Sequence, residues 1–166
     1  SKKVYIFLAD GFEDIEGLTV VDLPNDFCYH TERRDTRTIS FSLPSCILAD
    51  VCSSDLNKYL AGYKPLTDLL TDFNSKGKKI AAICAAPSVF SGLGFLKNRK
   101  ATSYPSFMEI IAGDGAKTSE DNVVVDGNIT TSRGLGTAVD FALSLISQLE
   151  NEEKAKEIAE SVVYTR

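Results

Sequence analysis

Residues 78–90, KKIAAICAAPSVF, set Cys84 where an apolar, β-rich run gives way to small residues and a proline. A thiol on such a strand-to-helix turn lies near exposed backbone N–H groups and the positive end of a helix dipole, which favour thiolate over thiol and hence a nucleophile. Ala85, Ala86 and Pro87 are small or turn-forming, as a sharp elbow requires, and the amide of Ala85, the residue after the thiol, is the candidate oxyanion donor. The bulky Ile83 departs from the Gly-x-nucleophile-x-Gly form of that elbow. A buried thiol that only fills the core as a small hydrophobe is the competing reading. Glu16 follows the first apolar run and can enter the same crevice; desolvated beside a thiolate, its carboxyl would keep its proton and donate a hydrogen bond to sulfur. Alternatively, Glu13, Asp14 and Glu16 simply charge a helix start. Arg133 in TTSRGLG is either a supporting cation or a solvated one, and Gly134-x-Gly136 is too weak to mark a phosphate loop. No catalytic triad can be built from sequence neighbours.

The elements that must carry these residues alternate. Val4 to Leu8 is a continuous apolar run ending in Ala9-Asp10-Gly11, the pattern of a strand covered on both faces. A helix with Ile15, Leu18, Val20 and Val21 on one face should follow. Pro65 to Phe73 has helical spacing and a stop at Gly77, and Lys79 to Ile83 is the next strand. Beyond Cys84 the sequence predicts a short helix closed by Gly92 and Gly94, a brief strand over Ala101 to Tyr104, and one or two helical turns over Ser106 to Ala112. NVVVDGNITTS reads as an antiparallel hairpin about Asp126-Gly127. AVDFALSLISQLE is the clearest helical period, and the charged amphipathic NEEKAKEIAESV follows it. Such alternation predicts an α/β fold with a mainly parallel sheet between helices, and active sites at the carboxyl ends of strands.

The 166 residues fit a single domain, and a globule of this size buries about 70% of the surface of its unfolded chain. A 43% apolar and 25% charged composition is that of a soluble globular protein. The net charge of -5 supplies no basic footprint for phosphates, and no apolar run is long enough to span a bilayer, so nucleic acid and membrane are not expected partners. The opening SKKVYIFLAD has too short an apolar run and no cleavage site, so it reads as a strand rather than a signal peptide. Cys28, Cys46, Cys52 and Cys84 show neither CxxC spacing nor an adjacent histidine cluster; no metal site or disulfide framework is expected, and reduced cytoplasmic thiols are the default. The sequon at Asn128 then carries no glycan.

Residues 24–56 fit badly. They hold the sole histidine, His30, and three of the four cysteines, with neither a helical nor a strand period. An Ω-loop is one reading, but structureless loops of this length are rare within compact domains. Asp50 to Leu56, DVCSSDL, is also one translation of GACGTGTGCTCTTCCGATCT, the end of a widely used sequencing adapter, so the segment is expected to be chimeric and never selected as protein.

VYIFLADGFEDIEGLTVVD, KKIAAICAAPSVF, ATSYPSF and NITTSRGLGTAVDFALSLI together resemble the ThiJ/PfpI superfamily, in its DJ-one-like branch, over residues 3 to 23 and about 57 to 163. The resemblance implies a flavodoxin-like three-layer α/β/α sandwich, akin to class I glutamine amidotransferases, that forms homodimers and needs no metal or organic cofactor. It places Cys84 at the family's reactive, oxidisable cysteine and Glu16 at its protonated glutamate. The activities it implies are glyoxalase-type conversion of methylglyoxal to lactate, removal of early glycation adducts, and a non-catalytic role as redox-sensing chaperone; an intracellular peptidase or amidase is a further possibility. Two departures stand out. The family's LPGG strand end should precede NKYLAGYKPL, where residues 24–56 intrude. Tyr104 stands where many members carry a histidine, which weakens the peptidase reading because acyl transfer wants an imidazole.

Overall fold

The computed structural model describes residues 61–165 in full and, before them, the backbone of residues 3–8, 28–32 and 45–49. Its centre is a six-stranded sheet in the order β2-β1-β3-β4-β8-β7. Here β1 is Lys3–Leu8, β2 Cys28–Glu32, β3 Ser45–Ala49, β4 Lys79–Ile83, β7 Val123–Asp126 and β8 Ile129–Ser132. β1 pairs in parallel with β2 and β3, β3 with β4, and β4 with β8; the β7–β8 hairpin alone among these is antiparallel. This is the doubly wound, flavodoxin-like order.

β4 shows how the layers form. Ile80 and Ala82 pack with Leu66, Leu70 and Phe73 of helix α1 (Lys64–Ser75) and with Phe90 of the short helix α2 (Pro87–Gly92). Ala81 and Ile83 face the other way, against Phe141, Ala142, Leu145 and Ile146 of helix α4 (Ala138–Leu149). Period-two alternation therefore feeds two apolar cores, one on each face. Helix α3 (Met108–Gly113) adds Ile111 to the first core, and helix α5 (Glu152–Ser161) lays Ala155 and Ile158 on the second. Each fully buried side chain such as Phe90 or Phe141 contributes roughly 1.5–3 kcal/mol.

Helix ends follow a shared device. After α1, Gly77 takes φ +65, its amide reaches Asn74 O at 3.1 Å, and Lys78 N reaches Phe73 O at 2.9 Å. After α2, Gly94 (φ +77) and Phe95 bond back to Ser91 and Phe90 in the same way. Gly115 (φ +98) and Ala116 do so after α3. These are Schellman closures, which need a left-handed residue and so favour glycine.

Three expectations need correction. Residues 24–56 do contain strands: β3 is paired on both sides in the sheet centre, with Ile47 opposite Ile6 and Ala81, and β2 lies beside β1. A short central parallel strand is covered on both faces, so it shows no alternation to read. The strand expected over Ala101 to Tyr104 is only Lys100–Ala101 (β5), in a separate two-stranded sheet with β6 (Lys117–Thr118). The next amides leave the ladder, Thr102 N for Thr131 Oγ1 at 3.0 Å and Tyr104 N for Cys84 O at 2.8 Å. The hairpin turn is Gly127-Asn128 rather than Asp126-Gly127, since Asp126 pairs with Ile129; Gly127 supplies φ +63, and the Asn128 side-chain amide ties the loop to Asn74 Oδ1 and Lys78 O, each at 3.0 Å. The helix expected after β1 lies outside the described residues.

Candidate active site at the end of β4

Cys84 follows β4 directly and takes φ +64, a left-handed conformation that non-glycine residues adopt only where the surroundings enforce it. The backbone is clamped from both sides. Its amide donates to Ser132 O at the end of β8 (3.1 Å), and its carbonyl accepts from Tyr104 N (2.8 Å). The turn also breaks the alternation of β4: Cys84 packs in the same core as its neighbour Ile83 rather than on the opposite face. The residue is buried, only 1% exposed.

The turn continues with Ala86 N bonded to Ile83 O (3.2 Å), and with Ser88 N and Ser88 Oγ both bonded to Ala85 O (3.0 and 2.8 Å). The buried amide of Ala85 has no acceptor among the described residues. A buried N–H without a partner is rare, and this one sits next to the thiol, where it can receive an anionic oxygen built on sulfur or on a substrate carbon. Helix α2 behind it has only six residues, so its dipole is short and the local amides matter more.

Of the other residues singled out by sequence, Tyr104 meets Cys84 through its backbone, while the residue as a whole is 38% exposed. Arg133 is half-buried and donates to Glu120 O at 2.9 Å. It lines a surface cleft of about 530 Å³ together with Pro105, Met108, Glu109, Thr118 and Glu120. Cys84 does not line that cleft, yet Pro105 and Arg133 each follow a residue that clamps Cys84. Glu16 lies outside the described residues, as do the side chain of His30 and residues 50–60 after β3. Among the described residues no group of three acidic, His or Cys side chains could hold a metal, and no helix is long and apolar enough to cross a membrane.

The hydroxyls of Ser132 and Thr137 escape the sequence reading. They stand 2.7 Å apart beneath the Ser132 carbonyl clamp. Their signal was the run of hydroxyl residues around Gly134 in TTSRGLGT, which carries no motif of its own.

Fold and site together define a flavodoxin-like α/β protein with a strained cysteine elbow at the carboxyl end of a central strand. The DJ-1/PfpI family pattern matches residues 54–148, more than half of the chain, and the chain belongs to that family. It is 42% identical over 188 aligned positions to Protein DJ-1 homolog B of Arabidopsis thaliana, covering 98% of this chain and 42% of that one. The glutathione-independent glyoxalase DJR-1.2 of Caenorhabditis elegans is 35% identical over 99 positions, 60% of this chain and 53% of its own. Among solved structures, Drosophila melanogaster DJ-1beta superposes with a TM-score of 0.86 at 28% identity, covering 100% of both chains. The chain spans about a quarter to a half of the length of the first curated relatives it matches.

Proposed function

We propose that this protein is a cysteine-dependent enzyme of small reactive dicarbonyls, with methylglyoxal as substrate and lactate as product, or of the early glycation adducts that such dicarbonyls form. The observation that carries the reading is the left-handed Cys84 beside the unclaimed amide of Ala85. The family's glyoxalase-named member in Caenorhabditis elegans supports the chemistry.

In this scheme the Cys84 thiolate adds to the aldehyde carbon, and the new alkoxide is held by the Ala85 amide until it is protonated to a hemithioacetal. A proton is then taken from the former aldehyde carbon as the neighbouring carbonyl oxygen is protonated, giving an enediol; a proton returned to that second carbon and the loss of the first carbon's hydroxyl proton leave the first carbon oxidised to a thioester and the second reduced to an alcohol. Water releases lactate and returns the thiol. No external oxidant or reductant is consumed, and Glu16 is the proposed proton shuttle. Incubation with methylglyoxal should yield lactate in the intact protein and none above background in Cys84→Ala; equal rates in the two would exclude the scheme.

The same amide favours a second reading, a redox sensor or chaperone in which Cys84 climbs to sulfinic acid and the new oxyanion is held at Ala85. Mild peroxide should then add two oxygens to Cys84 before the other three thiols react, read by mass spectrometry. Uniform oxidation of all four cysteines would oppose it. For either reading a cytoplasmic homodimer is the proposed working form, and light scattering should return twice the chain mass.

A further inference from the structure

We infer that Ser132 and Thr137 are positioning residues that hold the Cys84 backbone in its left-handed conformation through a network of hydroxyl hydrogen bonds. The inference rests on the reading of Cys84 as the reacting group.

Two hydroxyl protons, those of Ser132 and Thr137, serve three short contacts. Ser132 Oγ lies 2.7 Å from Asn122 O, a carbonyl that can only accept, so Ser132 donates there. Thr137 Oγ1 lies 2.7 Å from Ser132 Oγ and 2.9 Å from Gly134 O, so its one proton is shared between those two acceptors. Thr137 Oγ1 in turn accepts from the amide of Gly134 at 3.1 Å, and Gly134 O is separately satisfied by Thr137 N at 2.8 Å. Gly134 N–H thus donates to Thr137, Thr137 to Ser132 or back to Gly134 O, and Ser132 to Asn122. Chains of this kind polarise one another and stiffen the segment that they thread.

That segment carries the carbonyl that holds Cys84. Ser132 O accepts from Cys84 N at 3.1 Å, so the position of Ser132 sets where the Cys84 amide must point. The turn after Ser132 is itself unusual: buried Gly134 has φ 154 and ψ -162, a region essentially closed to other residues, and Thr137 bonds both of its backbone polar groups. A methyl in place of the Thr137 hydroxyl would leave the buried Gly134 N–H without an acceptor and Ser132 Oγ without its hydroxyl partner. The end of β8 would then be free to shift, and Cys84 to relax toward negative φ, which swings the thiol away from the Ala85 amide.

Thr137→Val, Thr137→Ser and Ser132→Ala test this, read by crystallography at Cys84 and by steady-state turnover of methylglyoxal. Thr137→Val should move Cys84 from φ +64 to negative φ and lower kcat about tenfold to a hundredfold, with KM unchanged within about twofold. Thr137→Ser, which restores the hydroxyl, should recover both. Should Thr137→Val not fold, Ser132→Ala is read for the same two effects, because it keeps the carbonyl clamp but removes the hydroxyl link. Cys84 retained at positive φ in the variant lacking the hydroxyl would overturn the inference, as would Thr137→Ser behaving like Thr137→Val. If the unaltered protein turns over no methylglyoxal, the dicarbonyl reading falls and the Cys84 backbone in the variants alone decides the positioning role.

Discussion

At the scale of a residue, Cys84 carries two opposed demands. A left-handed backbone costs an L-residue about 1–2 kcal/mol, yet the chain places a cysteine there rather than glycine. The small side chain softens the conflict, and packing against Ala81, Ile83 and Ala138 offsets part of it. Cys84→Gly should therefore abolish chemistry while leaving stability within about 1 kcal/mol of the unaltered protein, since relief of strain balances the lost contacts. Cys84→Val, β-branched at positive φ and larger in a closed core, should lose at least about 2 kcal/mol. Urea unfolding midpoints read both. A glycine variant as damaged as the valine one would mean that the elbow is not left-handed in solution.

At the scale of an element, helix closure offers a comparison internal to the chain. Helices α1, α2 and α3 end in Schellman closures with Gly77, Gly94 and Gly115 at the left-handed position. Helix α5 uses the same closure, Val163 N to Glu160 O at 3.1 Å and Tyr164 N to Ala159 O at 2.8 Å, but with Val163 at φ +57. Val163 is 83% exposed, so its side chain returns little in packing. Tyr164, anchored through its hydroxyl to Asp140 Oδ1 at 2.7 Å, holds the closure in place despite the strain. Val163→Gly should accordingly raise stability by about 1 kcal/mol, measured by denaturant unfolding; no gain would show that the last turn of α5 frays in solution. Elements such as these were legible because their signals are local: helical spacing at Leu66, Leu70 and Phe73, glycine after the last turn, and the Val4 to Leu8 and Lys79 to Ile83 runs. The Cys84 elbow was legible for the same reason. What escaped was set by distant partners. Thr102 and Tyr104 leave β5 because Thr131 and Cys84 take their amides, and Ser132 and Thr137 matter only through the clamp that they support.

At the scale of the molecule, the question is whether residues 24–56 belong to this fold. The adapter-like DVCSSDL at Asp50 to Leu56 suggested foreign sequence, and we propose that chimeric DNA supplied residues 24–56, which resequencing from source would settle. The sheet nevertheless draws its third position from them. β3 joins β1 to β4 in parallel register from Ser45 opposite Lys79 to Ala49 opposite Ile83, so β1 and β2 connect to the Cys84 side of the molecule through this strand. A five-residue strand such as SCILA suffices for that place whatever its origin, because a central parallel strand asks for little beyond β-tolerant residues and a free amide at each ladder position. Proline at the middle of such a strand removes a ladder donor and is tolerated essentially only at edges or bulges. Ile47→Pro should therefore abolish cooperative unfolding, with the exposed edge of β4 driving the variant into aggregates, both visible by circular dichroism and light scattering. An Ile47→Pro protein that melts at the original midpoint would place a different segment between β1 and β4, and the elbow at Cys84 would then need a new neighbour on that side.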